Sequence, residues 1–312
     1  MDAPTGPGGT FEGNLRAGSF AIFLSMKRTL LLCWALQATA LSAQSAMAPA
    51  DSAKKAKETL FTARDAYIAA GFVGLTFALY PVDRSMAQRM KNANALGGKS
   101  LNSLADGFDY LALPGVVVMG VGAYTWGRLA PHPDMADFGL HTTEAVVLAV
   151  ATSQVLKLAI GRSRPYVSND TNPRDFKFGG GFSSDARRSF PSGHATVAFA
   201  AAAAATSEVH RLWPKQTMLA GTLFYGSATL VGLARMYQNQ HWASDVVLGA
   251  GIGTLTGLKT VRYSHLHPDN YVDRVQLGYG RNLQVKERSG FLFVSLRLFS
   301  ASGALGARST GQ

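Results

Sequence analysis

Pro191-Ser192-Gly193-His194 opens a small-residue run with the marks of a helix start. Ser192 can cap that helix, Gly193 lets a ligand approach the backbone, and the free N–H groups of the first turn attract an anion. His194 would stand beside whatever binds there. Further along, His241 and Asp245 are four residues apart and can share one helical face. The carboxylate could then hold one ring nitrogen protonated while the other stays nucleophilic. Arg235 lies six residues before His241, and Lys157 and Arg164-Pro165 complete the set. Pro165 forces Arg164 out of helical geometry, so a cation on a helix and a cation on a loop can converge on one point. Guanidinium groups offer forked donors to phosphoryl oxygens, so the collection suits a phosphoryl dianion.

Each stretch alone has a plainer reading. A lysine and an arginine near a helix C-terminus can simply complement its dipole. The Ser-Gly-His stretch can be a capped helix start with an incidental histidine, and His241 with Asp245 can be a structural hydrogen bond. A metal held by His194, His241 and Asp245 is a further alternative, but it leaves the surrounding cations unexplained, because they oppose a dication.

Taken together and in order, the residues carry a resemblance. Lys157 with Arg164-Pro165, then Pro191 to His194, then Ala234-Arg235 with His241 and Asp245 resemble the signature Lys-x6-Arg-Pro, Pro-Ser-Gly-His and Ser-Arg-x5-His-x3-Asp. That signature marks the superfamily of type-2 phosphatidic acid phosphatases and vanadium haloperoxidases, and the resemblance spans roughly residues 60 to 260. It implies that Lys157, Arg164, Arg235, Ser192 and Gly193 bind phosphoryl oxygens, that His241 attacks phosphorus with Asp245 steadying it, and that His194 transfers protons. No metal or other cofactor is implied, since fixed cations do the neutralising. One position departs: Ala234 stands where the family has serine, which predicts altered tuning of the pocket rather than loss of activity.

These residues need helices to position them. Helix one is expected from Asp51 to Tyr80, closed by Pro81, followed by a polar connecting segment from Val82 to Asp106. Helix two is expected over Tyr110 to Ala130, helix three over Phe138 to Ile160, helix four over Ser192 to Leu212, helix five over Lys215 to Tyr237, and helix six from near His241 to Thr260. The predicted fold is all-α, a six-helix bundle spanning residues 49–268, with a Gly- and Arg-rich loop from Gly161 to Phe190. Beyond Pro268, Val275 to Tyr279 and Phe291 to Phe299 read as a β-hairpin appendage, and Ser300 to Gln312 as a disordered tail.

Composition narrows the class of protein. The chain has 312 residues, is 47% hydrophobic and only 16% charged, and is rich in Gly and Ala, which suits helices packed through small residues in or at a membrane. Its formal charge of +11 points to an anionic partner. Seven Lys/Arg face three Asp between Lys157 and Arg188, an anion pocket rather than the basic stripe of a nucleic-acid binder. Cys33 is the single cysteine, which excludes an intramolecular disulfide and a thiolate metal cluster. It lies in Met26-Lys27-Arg28, the apolar run Thr29 to Leu41 and the small-residue stretch Ala43 to Ala48, the three-part pattern of a secretory signal. Residues 1–48 are therefore expected to be an N-terminal extension and signal peptide.

The expected function is a metal-independent phosphatase of the bacterial cell envelope, acting on a phosphate monoester or diphosphate, in the first instance of a lipid, through phosphohistidine on His241. A soluble periplasmic acid phosphatase of broad specificity and a vanadate-dependent haloperoxidase are the alternatives. The pocket is expected to face the periplasm. A cleaved signal followed by three spans would instead put Lys157 and His194 on the cytoplasmic side. Either helix one does not fully span, or residues 26–48 are not cleaved, or the bundle is soluble. Helix four, mainly Ala and weakly apolar, favours the soluble alternative. Nothing in the sequence speaks to oligomeric state.

Overall fold

The computed structural model describes residues 59–130, 132–267 and Asn270. The described residues form six helical rods. We call them α1 (Ala63–Leu96), α2 (Gly98–Leu129), α3 (Pro133–Ile160), α4 (Gly193–Leu212), α5 (Thr217–Tyr237) and α6 (Ala243–Leu266). The signal expected at residues 26–48, the hairpin expected at 275–299 and the tail after it lie outside the described residues.

α1 starts at a capping box, in which Asp65 Oδ2 accepts from the Thr62 backbone N–H at 2.7 Å. Pro81 does not end the helix as the sequence predicts. It sits at the start of a short 3-10 turn, Tyr80–Val82, where its missing N–H costs little, and the chain resumes as α-helix from Asp83 to Leu96. The polar segment expected to connect helices is itself helical. Asp83–Leu96 and Gly98–Tyr110 turn their small residues Ala87 and Ala105 inward and leave their polar faces to solvent. Composition read as loop is here the composition of two amphipathic half-helices. α2 then passes through a π turn at Leu111–Gly115, which accommodates Pro114, before its apolar half, Val116–Leu129.

α3 begins five residues before the expected Phe138, because Pro133 at the first helical position and Asp134 in the first turn are good start signals. It ends at Gly161, whose φ of 63° belongs to the left-handed region. α6 begins at Ala243, so His241 lies in the turn ahead of the helix rather than on it.

α4 occupies the centre, packed against α3, α5 and α6. Every residue from Ala195 to Val209 is buried. The α4–α6 contact is close because α6 presents glycine at four-residue intervals. A Cβ on Gly253 would fall 2.2 Å from the Thr196 carbonyl oxygen, and one on Gly257 would fall 2.3 Å from that of Ala200. The low hydropathy of helix four therefore reflects enclosure by other helices, and it does not favour a soluble bundle.

The outer rods differ. Ala63–Leu96, Gly98–Leu129, Pro133–Ile160 and Pro214–Tyr237 are long and apolar enough to cross a membrane. Phe77, Val118, Trp126, Val155, Met218 and Leu219 are exposed on them, an outward apolar face that suits lipid better than water. The protein is membrane-associated. At the end of the bundle away from Lys157 and His194, the buried Glu208 of α4 ties three rods together. Its Oε1 is 2.5 Å from His141 Nδ1 of α3 and 2.8 Å from His265 Nε2 of α6, and its Oε2 accepts from Arg211 Nε at 2.9 Å.

Candidate active site

The ends of α3 and α5 and the starts of α4 and α6 meet around His241. This side chain is 2% exposed, and its Nδ1 lies 2.7 Å from the backbone oxygen of Ser189. A carbonyl can only accept, so Nδ1 carries the proton and Nε2 keeps its lone pair. Burial, with the charges of Lys157, Arg164 and Arg235 added, holds the imidazole well below its ordinary pKa, so it is neutral.

Asp245 does not perform the task that its spacing suggests. Its Oδ2 is 3.8 Å from His241 Nδ1, beyond hydrogen-bond reach. The carboxylate is fully buried and accepts from Arg162 Nη1 at 2.5 Å, Ser189 Oγ at 2.5 Å and the Trp242 backbone N–H at 2.9 Å. It thus fixes the two chain segments that carry the Ser189 carbonyl and the His241 ring, and acts on the imidazole through them. The physical reason is the position of His241 ahead of α6, where the i, i+4 geometry of a helix does not apply.

Arg162 went unread in the sequence, although among the described residues it is the largest charged side chain that is fully buried. It bridges Asp245 and Asp83, with Nη2 2.8 Å from Asp83 Oδ2. The rings of Tyr80, Phe176, Phe190 and Trp242 surround its guanidinium at 5.1 to 5.9 Å. Asp83 also accepts from the Ser244 backbone N–H at 2.9 Å. The polar half of α1, expected to be a loop, thereby braces the start of α6. The available signal was the phase of Gly161-Arg162-Ser163-Arg164, where only one of two neighbouring arginines can face the pocket.

The predicted phosphate-binding residues are brought together in part by helix ends and in part by the loop. Lys157 is buried in the last turn of α3 and makes no hydrogen bond or ion pair among the described residues. Its ammonium lies against Gly193, where an added Cβ would be 3.0 Å from Nζ. Arg164 is anchored by Asp185, with Nη2 3.0 Å from Oδ2, and by Gln240. Arg235 Nη1 donates to Asp109 Oδ1 at 2.5 Å and to Gln238 Oε1 at 2.7 Å, while its Nε is buried and has no partner. Ser192 caps α4, its Oγ 3.5 Å from the Ala195 N–H, and its own N–H donates to the Asp245 backbone oxygen at 3.0 Å. That second bond joins the start of α4 directly to the start of α6. His194 is partly exposed, and its Nε2 lies 3.4 Å from Asp109 Oδ1. Asp109 was a second residue missed by the sequence reading, since it falls inside a helix that was not anticipated.

A metal held by His194, His241 and Asp245 does not match this arrangement. The Asp245 oxygens are taken by three protein donors, and His194 faces Asp109 instead. Ala234 packs with Ala105 of α2 and Tyr237 of α5, so its methyl serves a helix contact rather than the pocket.

Residues 138–268, which run from α3 through the loop to the end of α6, match the model of the PAP2 superfamily. Over 72 residues the chain is 39% identical to the lipid A 1-phosphatase of Porphyromonas gingivalis, a stretch that is 23% of this chain and 15% of that relative. The chain thus spans well under two thirds of the curated relative it matches. The crystal structure of a transmembrane PAP2-type phosphatidylglycerolphosphate phosphatase from Bacillus subtilis aligns with a TM-score of 0.49 and 21% identity. That alignment covers 65% of this chain and 96% of the other. Lys157, Arg164, Arg235, His194 and His241 all come from the matched residues, whereas Asp83 and Asp109 come from the two rods that precede them.

Proposed function

We propose that the protein is a phosphoric monoester hydrolase of the cell envelope that removes phosphate from a lipid phosphate through phosphohistidine on His241. The observation that carries this reading is a buried, neutral imidazole whose Nδ1 is committed to the Ser189 carbonyl, set among the three cations Lys157, Arg164 and Arg235. A neutral ring with a free Nε2 is a nucleophile, and a lysine with no ion pair among the described residues, beside a helix N-terminus, is a dianion site.

In this mechanism Lys157, Arg164, Arg235, the Ser192 hydroxyl and the Gly193 N–H hold the phosphoryl oxygens and stabilise charge in the in-line transition state. His241 Nε2 attacks phosphorus, the bond to the ester oxygen breaks, and His194 gives that oxygen its proton. His194 then takes a proton from water, whose oxygen attacks the phosphohistidine. Orthophosphate leaves and His241 is restored. Asp245 contributes by positioning, through Ser189 and Trp242.

The outward apolar faces of the outer rods favour a lipid as the phosphate carrier over a small soluble ester. The matched relative is a lipid A 1-phosphatase by its title, which supports the same choice. We place the pocket on the periplasmic side, which with a cleaved signal requires that helix one does not fully span, since three full spans would put Lys157 and His194 in the cytoplasm. The test is a phosphate-release screen of the purified protein against lipid and soluble monoesters, with and without detergent, combined with carbonate extraction of membranes. We expect activity on lipid phosphates from a carbonate-resistant protein. Release into the soluble fraction with equal activity on a small monoester would overturn the lipid reading. Labelling of a cysteine introduced at Ser183 by an impermeant reagent in intact spheroplasts tests the orientation of the loop, and protection there would place the pocket in the cytoplasm.

A further inference from the structure

Asp109 ends the first half of α2 and points a carboxylate oxygen into the cation cluster. Its Oδ1 is 2.5 Å from Arg235 Nη1 and 3.4 Å from His194 Nε2. In the mechanism above, Arg235 binds a phosphoryl oxygen and His194 protonates the leaving oxygen. An oxygen already stands between these two groups, and it belongs to the protein. Two donors remain unfilled: Lys157 has no hydrogen bond or ion pair among the described residues, and Arg235 Nε is buried without a partner, whereas Arg164 is held by Asp185 and Gln240.

The carboxylate is placed to come and go. The Asp109 side chain is 32% exposed, so it stands at the mouth of the pocket rather than sealed in the core. Two residues later the helix enters the π turn Leu111–Gly115 with Pro114 inside it, where the regular hydrogen-bond ladder is already interrupted and a small rotation breaks few bonds. The same segment is tethered to Arg235 a second time, because Asp106 accepts from Gln238 Nε2 at 2.9 Å and Gln238 Oε1 accepts from Arg235 Nη1 at 2.7 Å.

We propose that Asp109 is the internal counter-anion of the phosphate pocket, filling the oxygen site between Arg235 and His194 until an incoming phosphoryl group displaces it. This rests on the roles given to Arg235 and His194 under the proposed function. Orthophosphate brings no interaction beyond its own charge and must meet the full cost of displacement. A phosphomonoester with an apolar body offsets that cost through contacts elsewhere. Asp109 is thus a residue that determines specificity: it discriminates against small free anions, product included, and forms no bond to the substrate.

The experiment uses the detergent-solubilised full chain as wild type, Asp109→Asn and Asp109→Ala. Orthophosphate and orthovanadate binding is measured by titration calorimetry, and KM and kcat are measured on a lipid phosphate. Removing a like charge from beside the dianion is expected to tighten orthophosphate binding about tenfold or more, and to lower KM more than it changes kcat. Asp109→Asn keeps the shape of the side chain, so it stands as the test if the alanine variant fails to fold. Unchanged or weaker orthophosphate binding in Asp109→Asn, at the wild-type melting temperature, overturns the proposal. Tighter anion binding in a protein whose wild type hydrolyses no phosphomonoester keeps the role of Asp109 and sinks the phosphatase reading. Hydrolysis by the wild type with unchanged anion affinity in the variant does the reverse.

Discussion

His241 and Asp245 are separated by 3.8 Å at their nearest nitrogen and oxygen, and between them stands Ser189, whose carbonyl accepts a hydrogen bond from the imidazole Nδ1–H and whose hydroxyl donates one to the carboxylate. The orientation of the histidine is therefore set by a backbone atom, and the aspartate holds that backbone in place. A side chain can be removed by mutation, whereas a carbonyl cannot.

Ser189→Ala keeps the carbonyl and removes one of the three donors to Asp245, and the neighbouring donors remain. We expect kcat to fall by less than about tenfold, and stability by about 1 kcal/mol. Asp245→Ala takes from Arg162 one of its two carboxylates and frees the turn, so both kcat and the melting temperature should fall much further. Steady-state kinetics and thermal melts of the two variants in one detergent check the order. Equal losses would contradict the indirect role of Asp245.

Replacing Arg162 leaves Asp83 and Asp245 facing each other, buried and uncompensated. Arg162→Ala is expected to cost about 3–5 kcal/mol of stability, the range for breaking a buried ion pair from one side. Arg162→Lys restores the charge without the fork that spans two carboxylates, and should recover only part of the loss. Chemical denaturation of both variants measures the difference.

The low pKa of His241 has a consequence for stability. Below the ordinary pKa of about 6.5, an unfolded chain binds a proton at this ring that the folded protein, by burial and three neighbouring cations, refuses. The unfolded state then holds more protons, so stability rises with pH in that window and is lost as pH falls below it. The melting temperature of the wild type should drop between pH 7.5 and pH 5, and His241→Gln should flatten that drop. An equal drop in the variant would mean that the ring titrates normally in the fold.

His241→Ala should lower turnover by about three orders of magnitude or more and abolish trapping of an acid-labile phosphoenzyme in a rapid acid quench. Activity of the wild type should survive EDTA, because the proposed neutralising charges are side chains, and it should be inhibited by vanadate, which fits the same pocket. Dependence on an added divalent metal would count against the mechanism.

Gly253→Ala places a methyl group 2.2 Å from the Thr196 carbonyl, and backbone cannot yield as a flexible side chain can. The expected cost is about 1–3 kcal/mol, with a fall in kcat because the α4–α6 contact also sets the distance between His194 and His241. Gly122→Ala is the control, since nothing lies within 4 Å of its added Cβ. Thermal unfolding of the pair separates close packing from helix propensity.

Residue types and their order along the chain were enough to read the helical class, the number of rods and the identity of the cation and histidine groups, because small local sets of atoms decide each of these. Lys157, Arg164 and His194 could be named that way, as each sits at or near a helix end that glycine, proline or serine announces, and Arg235 and His241 by their spacing with Asp245. The helical state of Val82 to Asp106 was not legible, since the contacts that stabilise it come from the distant residues Arg162, Gln238 and Ser244. Asp83, Asp109 and Arg162 stayed hidden for the same reason. Their partners are 79, 126 and 83 positions away, beyond the range of any spacing rule. The sequence by itself determined which groups are present to do phosphoryl chemistry. Only the tertiary structure decided which atom orients the His241 ring and which carboxylate enters the cation cluster, because both depend on where separate helix ends meet.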